Sequence, residues 1–278
     1  MRIDGHTQVI AHLGWPTHSF KAPLIYNPYF DAAGINAVVV PMACRAEAFS
    51  GVLKSLFALD NVRGALITMP HKVSVVALLD ERSVAVQVSG ACNAVRRGEG
   101  GTLVGDQFDG AGFVRGVQRK GLDLKGARCL VVGCGGVGRP IAASLAQAGI
   151  GRLALFDVDR ACADDLAHRV TAHFPQLAVA TTSNDPAGFD LVVNATPLGM
   201  NADDPLPFDV TRLDAHTFVG DVVLSREFTP LLTAAKARGC PTQVGTDMLF
   251  EMIPAYLEFF GFPPTTSEHL RQLAQLKD

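Results

Sequence analysis

The chain has 278 residues, 48% hydrophobic and 18% charged, with a net charge of −3 at pH 7. That length buries one large core or two moderate ones, the charge excludes a basic nucleic-acid face, and no apolar run reaches membrane-spanning length or makes a signal peptide. Six cysteines (Cys44, Cys92, Cys129, Cys134, Cys162 and Cys240) form no C-x-x-C pair and several lie in apolar runs, which predicts reduced core thiols in a cytoplasmic protein with no disulfide framework and no metal.

Residues 8–13, QVIAHL, predict a strand ending at Gly14. The loop GWPTHSFKAP follows, then a helical pattern from Leu24 to Ala33 that Gly34 suits as a C-cap. A second strand is expected over 36–43, NAVVVPMA, and a helix over 46–59 from the spacing of Phe49, Val52, Leu53, Leu56 and Phe57. A third strand is expected over 64–70, GALITMP, followed by a short helix from His71. Strands alternating with helices argue for a parallel sheet, so the first hundred residues predict a small α/β unit. The rhythm breaks between Ala91 and Gln107, where ACNAVRR, a glycine-rich turn and TLVGDQ predict two short paired strands. A helix over 109–119 leads into a second α/β unit: a strand opening at Cys129, helix 137–148, strand 153–158, helix 160–173, and strands at 177–181, 191–194 and 218–223. The last 33 residues predict helix, kinked at Pro254.

The stretch Cys129 to Gly138, CLVVGCGGVG, reads as a buried strand, a glycine turn and a helix start, with Gly133, Gly135 and Gly138 on the spacing G-x-G-x-x-G. Such a turn is sharp, lets a pyrophosphate approach the main chain and lets helix pack on strand, while the free amides around Gly136 and Val137 face phosphate. Asp157 ends the next strand, 24 residues after Gly133. A carboxylate there accepts hydrogen bonds from the adenosine ribose and repels a 2′-phosphate, which predicts NAD over NADP. Asp157 and Asp159 both suit a helix N-cap as well, Arg160 nearby softens the preference, and a methyltransferase also places an acid after its second strand.

The segments GWPTHSFKAP, ITMPHK, SGACNAV, GDQFDG, the glycine turn and NATPLGM at 194–200, taken in order, resemble the shikimate/quinate dehydrogenase family over the whole chain. The resemblance implies a substrate-binding α/β domain (1–108), a Rossmann-type dinucleotide domain (109–245) and C-terminal helices (246–278) returning to the first domain, with an active cleft between the domains. It implies hydride transfer between NADP(H) or NAD(H) and shikimate, quinate or a related cyclic hydroxy acid, with Asp157 favouring NAD; a monomer or homodimer is the default expectation for the assembly. Lys72, in T-M-P-H-K, matches the catalytic lysine, and Asp109, in D-Q-F-D-G, the aspartate that pairs with it. Such a lysine gives a proton to the developing alkoxide or takes it from the alcohol, and a carboxylate holds it in place. Thr68 and Asn93 match substrate-contacting positions, and Thr196, Gly199 and Met200 the loop against the nicotinamide.

Some positions depart from the family pattern. Where it has S-x-S-P to hold a carboxylate, this chain has Phe20-Lys21-Ala22-Pro23, leaving Thr17, Ser19 and Lys21 as replacement contacts. Phe108, Leu224 and Met252 stand where a threonine, a tyrosine and a glutamine are common. Loss of hydroxyl and amide groups changes which substrate fits. A dinucleotide-binding sensor without catalysis is the alternative, and a methyltransferase gives no role to Lys72, Asp109 or NATPLGM.

Overall fold

The first strand, β1 (Gln8–Gly14), sends alternate side chains to opposite faces. Ala11 and Leu13 join an apolar cluster with Phe49, Leu53, Leu56 and Ile67, while Ile10 is buried on the other face. The computed structural model describes residues 3–201 and 203–276. In it the chain forms two compact units, one holding residues up to Phe108 and from Met252 onward, the other Asp109–Glu251.

In the first unit β1 is followed by α1 (Pro23–Ala32), β2 (Ala37–Ala43), α2 (Phe49–Leu56) and β3 (Val62–Ile67). A 3-10 turn at Ser74–Leu78, β4 (Glu81–Arg82) and α3 (Val84–Ser89) lead to the hairpin β5 (Ala94–Arg97) and β6 (Leu103–Asp106). The sheet order is β2-β1-β3-β5-β6-β4. Its first three strands are parallel, and β5 runs antiparallel to β3 and β6. Helix α1 buries Ile25, Tyr26 and Phe30; the Phe30 ring packs on Phe262 with centroids 5.0 Å apart.

The second unit opens with α4 (Asp109–Arg119) and continues β7 (Arg128–Val132), α5 (Gly138–Gln147), β8 (Arg152–Phe156), α6 (Arg160–His173) and β9 (Ala178–Thr181). Then come β10 (Leu191–Asn194), β11 (Phe218–Asp221), α7 (Pro230–Ala237), β12 (Thr242–Gln243) and α8 (Gly245–Phe259), whose far end belongs to the first unit; α9 (Ser267–Leu273) closes the chain. All six strands are parallel, in the order β12-β11-β10-β7-β8-β9. The order reverses between β7 and β10, the doubly wound pattern of dinucleotide-binding sheets. Both faces are apolar: Cys129, Val131, Leu153 and Val193 meet Phe113, Ile141 and Leu166 on one side, and Leu130, Val132, Ala154 and Val192 meet Leu231 and Leu232 on the other. Hence these strands read as near-continuous apolar runs.

The expected α/β class is what the chain adopts, with local differences. The helix expected over 46–59 shrinks to Phe49–Leu56 because its ends tighten into i→i+3 bonds, Phe49 N to Ala46 O and Leu59 N to Leu56 O. The strand expected over 64–70 lies at Val62–Ile67, and the chain turns directly after it, where His71 N donates to Thr68 O. Helix α7, absent from the sequence reading, starts at Pro230 behind Thr229, whose hydroxyl accepts from Leu232 N. The terminal region is helical in two pieces, broken between Phe259 and Ser267. No described helix is long and apolar enough to cross a membrane. All six cysteines are free thiols; burial, with help from the Asp157 charge, pushes the Cys134 thiol up to about 12.

Candidate active site

Ligands of parallel sheets gather at the carboxyl ends of the strands. In the first unit these are the ends of β1 and β3, and hydrogen bonds stitch the departing loops together: Thr68 N donates to Leu13 O and Trp15 N to Met69 O, each at 2.9 Å. Gly14 permits this approach, since a Cβ there would run into Thr68 Cγ2 and lie 2.8 Å from Met69 O and from Phe20 Cζ. Lys72 sits in the loop after β3, half-buried. Its main chain is fixed from both sides. Cys92 N donates to Lys72 O at 2.7 Å, and the adjacent His71 is buried, with Nε2 at 2.8 Å from Cys44 O and its ring flat on Phe49 at 4.0 Å.

Asn93 is fully buried beside this loop. Its main chain links β3 and β6, with Ile67 N donating to Asn93 O and Asn93 N to Asp106 O. Asn93 Oδ1 accepts from Phe108 N at 3.0 Å, while Asn93 Nδ2 has no hydrogen-bond partner in the structure. A buried donor without a partner costs on the order of 1–3 kcal/mol, so a hydrogen-bond acceptor reaching this amide would recover that cost. Thr68, Lys72 and Asn93 are thus brought to one end of one sheet. Thr17, Ser19 and Lys21 lie in the loop leaving β1, Thr17 and Lys21 half-buried and Ser19 exposed. The carbonyls of Thr17 and Lys21 close turns with Phe20 N and Leu24 N. The Phe20 ring stacks on His12 at 4.0 Å. Neither His12 nor the anchoring His71 drew notice in the sequence, because a histidine inside an apolar strand and one beside a lysine look like core and loop. A cavity of about 420 Å³ lies at the opposite end of β1 and β3, lined by Arg63, Arg96, Arg97 and Phe259 among others. Its arginines serve main-chain carbonyls: Arg63 those of Phe260, Arg97 those of Phe57 and Leu59.

In the second unit the glycine turn follows β7 and the 194–200 loop follows β10, at the reversal of strand order. Gly133 has φ +98, and its missing Cβ leaves room for Ala195 O at 2.8 Å and Thr196 Cγ2 at 2.9 Å. A Cβ on Gly138 would strike Gly133 O, whereas one on Gly135 would meet nothing within 4 Å. Among the described residues, the amides of Gly135, Gly136 and Val137 donate to no main-chain carbonyl. An open turn with free amides at the head of α5 fits a pyrophosphate. Asp157 turns its carboxylate into this turn, accepting from Cys134 N at 2.7 Å and Asp159 N at 2.9 Å. The cap of α6 is Asp159, which accepts from Ala161 N. Arg160 lies against Asp164 at 3.5 Å and is mostly exposed.

The 194–200 loop is organised from beneath. Asn194 Oδ1 accepts from Thr196 N and from Thr196 Oγ1 at 2.6 Å, while its Nδ2 donates to Leu198 O and Asp221 Oδ1. Asp221 also accepts from Val223 N and from Thr229 Oγ1 at 2.7 Å. Burial raises the pKa of this carboxyl above its usual range, against the lowering effect of those bonds. Gly199 N donates to Asp204, and Met200 O accepts from Ser225. Asn194, Asp221 and Thr229 are therefore supports that the motif reading missed; an apolar strand ending in Asn or Asp was the available signal. Asp109 is buried at the head of α4, where a helix N-terminus favours a carboxylate.

This strand order, glycine turn and supported loop define the class: a dinucleotide-binding α/β protein. A model of the shikimate dehydrogenase substrate-binding domain matches residues 13–95, and one of the ThiF family residues 113–176. A protein of Rubrobacter xylanophilus named shikimate dehydrogenase (NADP(+)) is 34% identical over 98% of both chains. Quinate dehydrogenase from Corynebacterium glutamicum, solved in complex with NAD, is 30% identical with a TM-score of 0.86, covering 96% of this chain and 98% of its own. Ligand-free 5-ketofructose reductase of Gluconobacter sp. strain CHM43 is 25% identical with a TM-score of 0.84, covering 96% and 97%. The chain belongs to the shikimate dehydrogenase family, and its dinucleotide is a nicotinamide one.

Proposed function

We propose that this chain is a dehydrogenase that interconverts an alcohol and a ketone on shikimate, quinate or a related cyclic hydroxy acid. The observation that carries the reading is the gathering of Lys72, Thr68 and the unpartnered Asn93 amide at the ends of β1 and β3. The first unit is assigned to the substrate and the second to the dinucleotide. Asn93 Nδ2 and the Thr68 hydroxyl bind substrate oxygens and fix the reacting carbon. The Lys72 ammonium donates a proton to the oxygen when the ketone is reduced and accepts one when the alcohol is oxidised. Asp109 is the carboxylate of this proton step. A bound nicotinamide supplies or takes the hydride. The amides of Gly135, Gly136 and Val137 and the head of α5 hold its pyrophosphate, with Thr196 and Met200 beside the ring. Thr17, Ser19 and Lys21 line the substrate side.

NAD is the proposed preference. Asp157 stands at the end of β8, and each of its carboxylate oxygens retains a lone pair for a ribose hydroxyl. The curated relatives, the Rubrobacter protein among them, are named for NADP(+) and so weigh toward NADP, while the Corynebacterium complex holds NAD, so the two cofactors belong side by side in the test. Purified protein is assayed with NAD and NADP over shikimate and quinate. Reduced dinucleotide forms, faster with NAD; absence of turnover on every pair overturns the proposal.

A further inference from the structure

Two histidines of the first unit are almost fully buried and stack on a phenylalanine, but they differ in one respect. His71 has its Nε2 at 2.8 Å from Cys44 O. His12 keeps Nδ1 buried with no hydrogen-bond partner in the structure. Buried polar atoms in folded proteins are overwhelmingly paired, and an exception calls for a reason. The surroundings of His12 supply one. It lies two residues before Gly14, so both occupy the same face of β1. Phe20 covers this face, its ring stacked on His12 at 4.0 Å and its Cζ 2.8 Å from where a Gly14 Cβ would stand. Thr68 Cγ2 presses on that same point. The unpaired nitrogen therefore belongs to the strand end that carries Thr68, Lys72 and Asn93.

We propose that His12 is a substrate-contacting specificity residue, its Nδ1 bonding a hydroxyl of the substrate while Phe20 holds the imidazole in one orientation. Burial, and then the charge of Lys72, hold the imidazole neutral, with a pKa lowered to about 3. A neutral imidazole presents one donor and one acceptor, the complement of a hydroxyl; an ionised carboxylate takes donors only. Together with Asn93 Nδ2, His12 makes a pair of buried, unsatisfied groups suited to a polyhydroxylated ring. This inference rests on the dehydrogenase reading for its substrate and on the geometry of β1 for its residue.

The test uses near-isosteric variants, His12→Leu and His12→Asn, in the whole protein. Asparagine keeps a polar atom close to the Nδ1 position; leucine keeps the bulk alone. Steady-state kinetics are run with shikimate, quinate and 5-ketofructose as probes. The expected result for His12→Leu on the preferred probe is a KM raised by about 10–100-fold with kcat changed little, and for His12→Asn a KM within about fivefold of wild type. An unchanged KM in His12→Leu, or equal losses in both variants with dinucleotide binding intact, overturns the proposal. If the wild-type protein turns over none of the probes, the dehydrogenase reading fails by itself. In that case, or if His12→Leu does not fold, nitrogen-15 NMR of the wild-type histidines decides. A shift of the His12 Nδ1 signal on adding one of the probes supports the contact, and no shift with any of them overturns it.

Discussion

Protonation of His12 gives the structure a measurable acid sensitivity. The imidazole has a folded-state pKa of about 3 against an ordinary value of 6.5, from burial first and the Lys72 charge second. A base with a depressed folded pKa is neutral in the folded chain and protonated in the unfolded one between those two values. Its contribution to stability is therefore complete above pH 6.5 and is lost as pH falls toward 3. The slope in that window is about 1.4 kcal/mol per pH unit, so the loss between pH 7.5 and pH 5 is about 2 kcal/mol. Other groups titrate over this range as well, and they cancel when wild type is compared with His12→Asn at both pH values. Urea unfolding followed by tryptophan fluorescence suits the measurement, because Trp15 is the chain's single tryptophan and directly follows β1. It reports the first unit even if the two units unfold separately. The wild type should lose about 2 kcal/mol more than the variant on acidification. Equal acid losses would show that His12 titrates normally in the folded protein and would refute the burial argument.

The glycine turn separates folding from binding. Gly138→Ala places a methyl group on Gly133 O and should destabilise the second unit by about 2–3 kcal/mol in urea unfolding. Gly135→Ala meets open space, so stability should hold while the dinucleotide Kd, read by NADH fluorescence, rises by about tenfold or more. Asp221→Ala removes the shared acceptor of Asn194, Val223 and Thr229; unfolding should show a loss of about 3 kcal/mol, with a raised dinucleotide KM as Thr196 loosens. Val158 is 95% exposed beside Asp157, so Asp157→Ser with Val158→Arg should shift the kcat/KM ratio toward NADP by about tenfold or more.

The second unit was largely legible because parallel strands buried on both faces leave apolar runs, and glycines and strand-ending acids punctuate them. The expected helix 160–173 and strand 191–194 coincide with α6 and β10. Strand β12 has two residues and carries no periodicity, and the start of α7 shows in the sequence only as the pair Thr229-Pro230. In the first unit the motif T-M-P-H-K marked Lys72, but the features that hold it, His71 on Phe49 and Cys92 N on Lys72 O, join residues far apart in the chain. The strand end and the spacing from Gly133 singled out Asp157 in the sequence, but either Asp157 or Asp159 suited the helix cap; the geometry gives the cap to Asp159 and turns Asp157 toward the glycines. His12 was invisible for a similar reason. Nothing in QVIAHLG tells that one nitrogen of a core histidine lacks a partner.

In the proposed reaction Lys72 handles the proton of an alcohol–ketone interconversion. Lys72→Met keeps most of the side-chain length and removes the ammonium. With shikimate and quinate as substrates and NAD and NADP as cofactors, formation of reduced dinucleotide in this variant should fall by about 10²–10⁴-fold, with NADH binding and the unfolding midpoint unchanged. A Lys72→Met protein that keeps wild-type turnover removes Lys72 from the proton step.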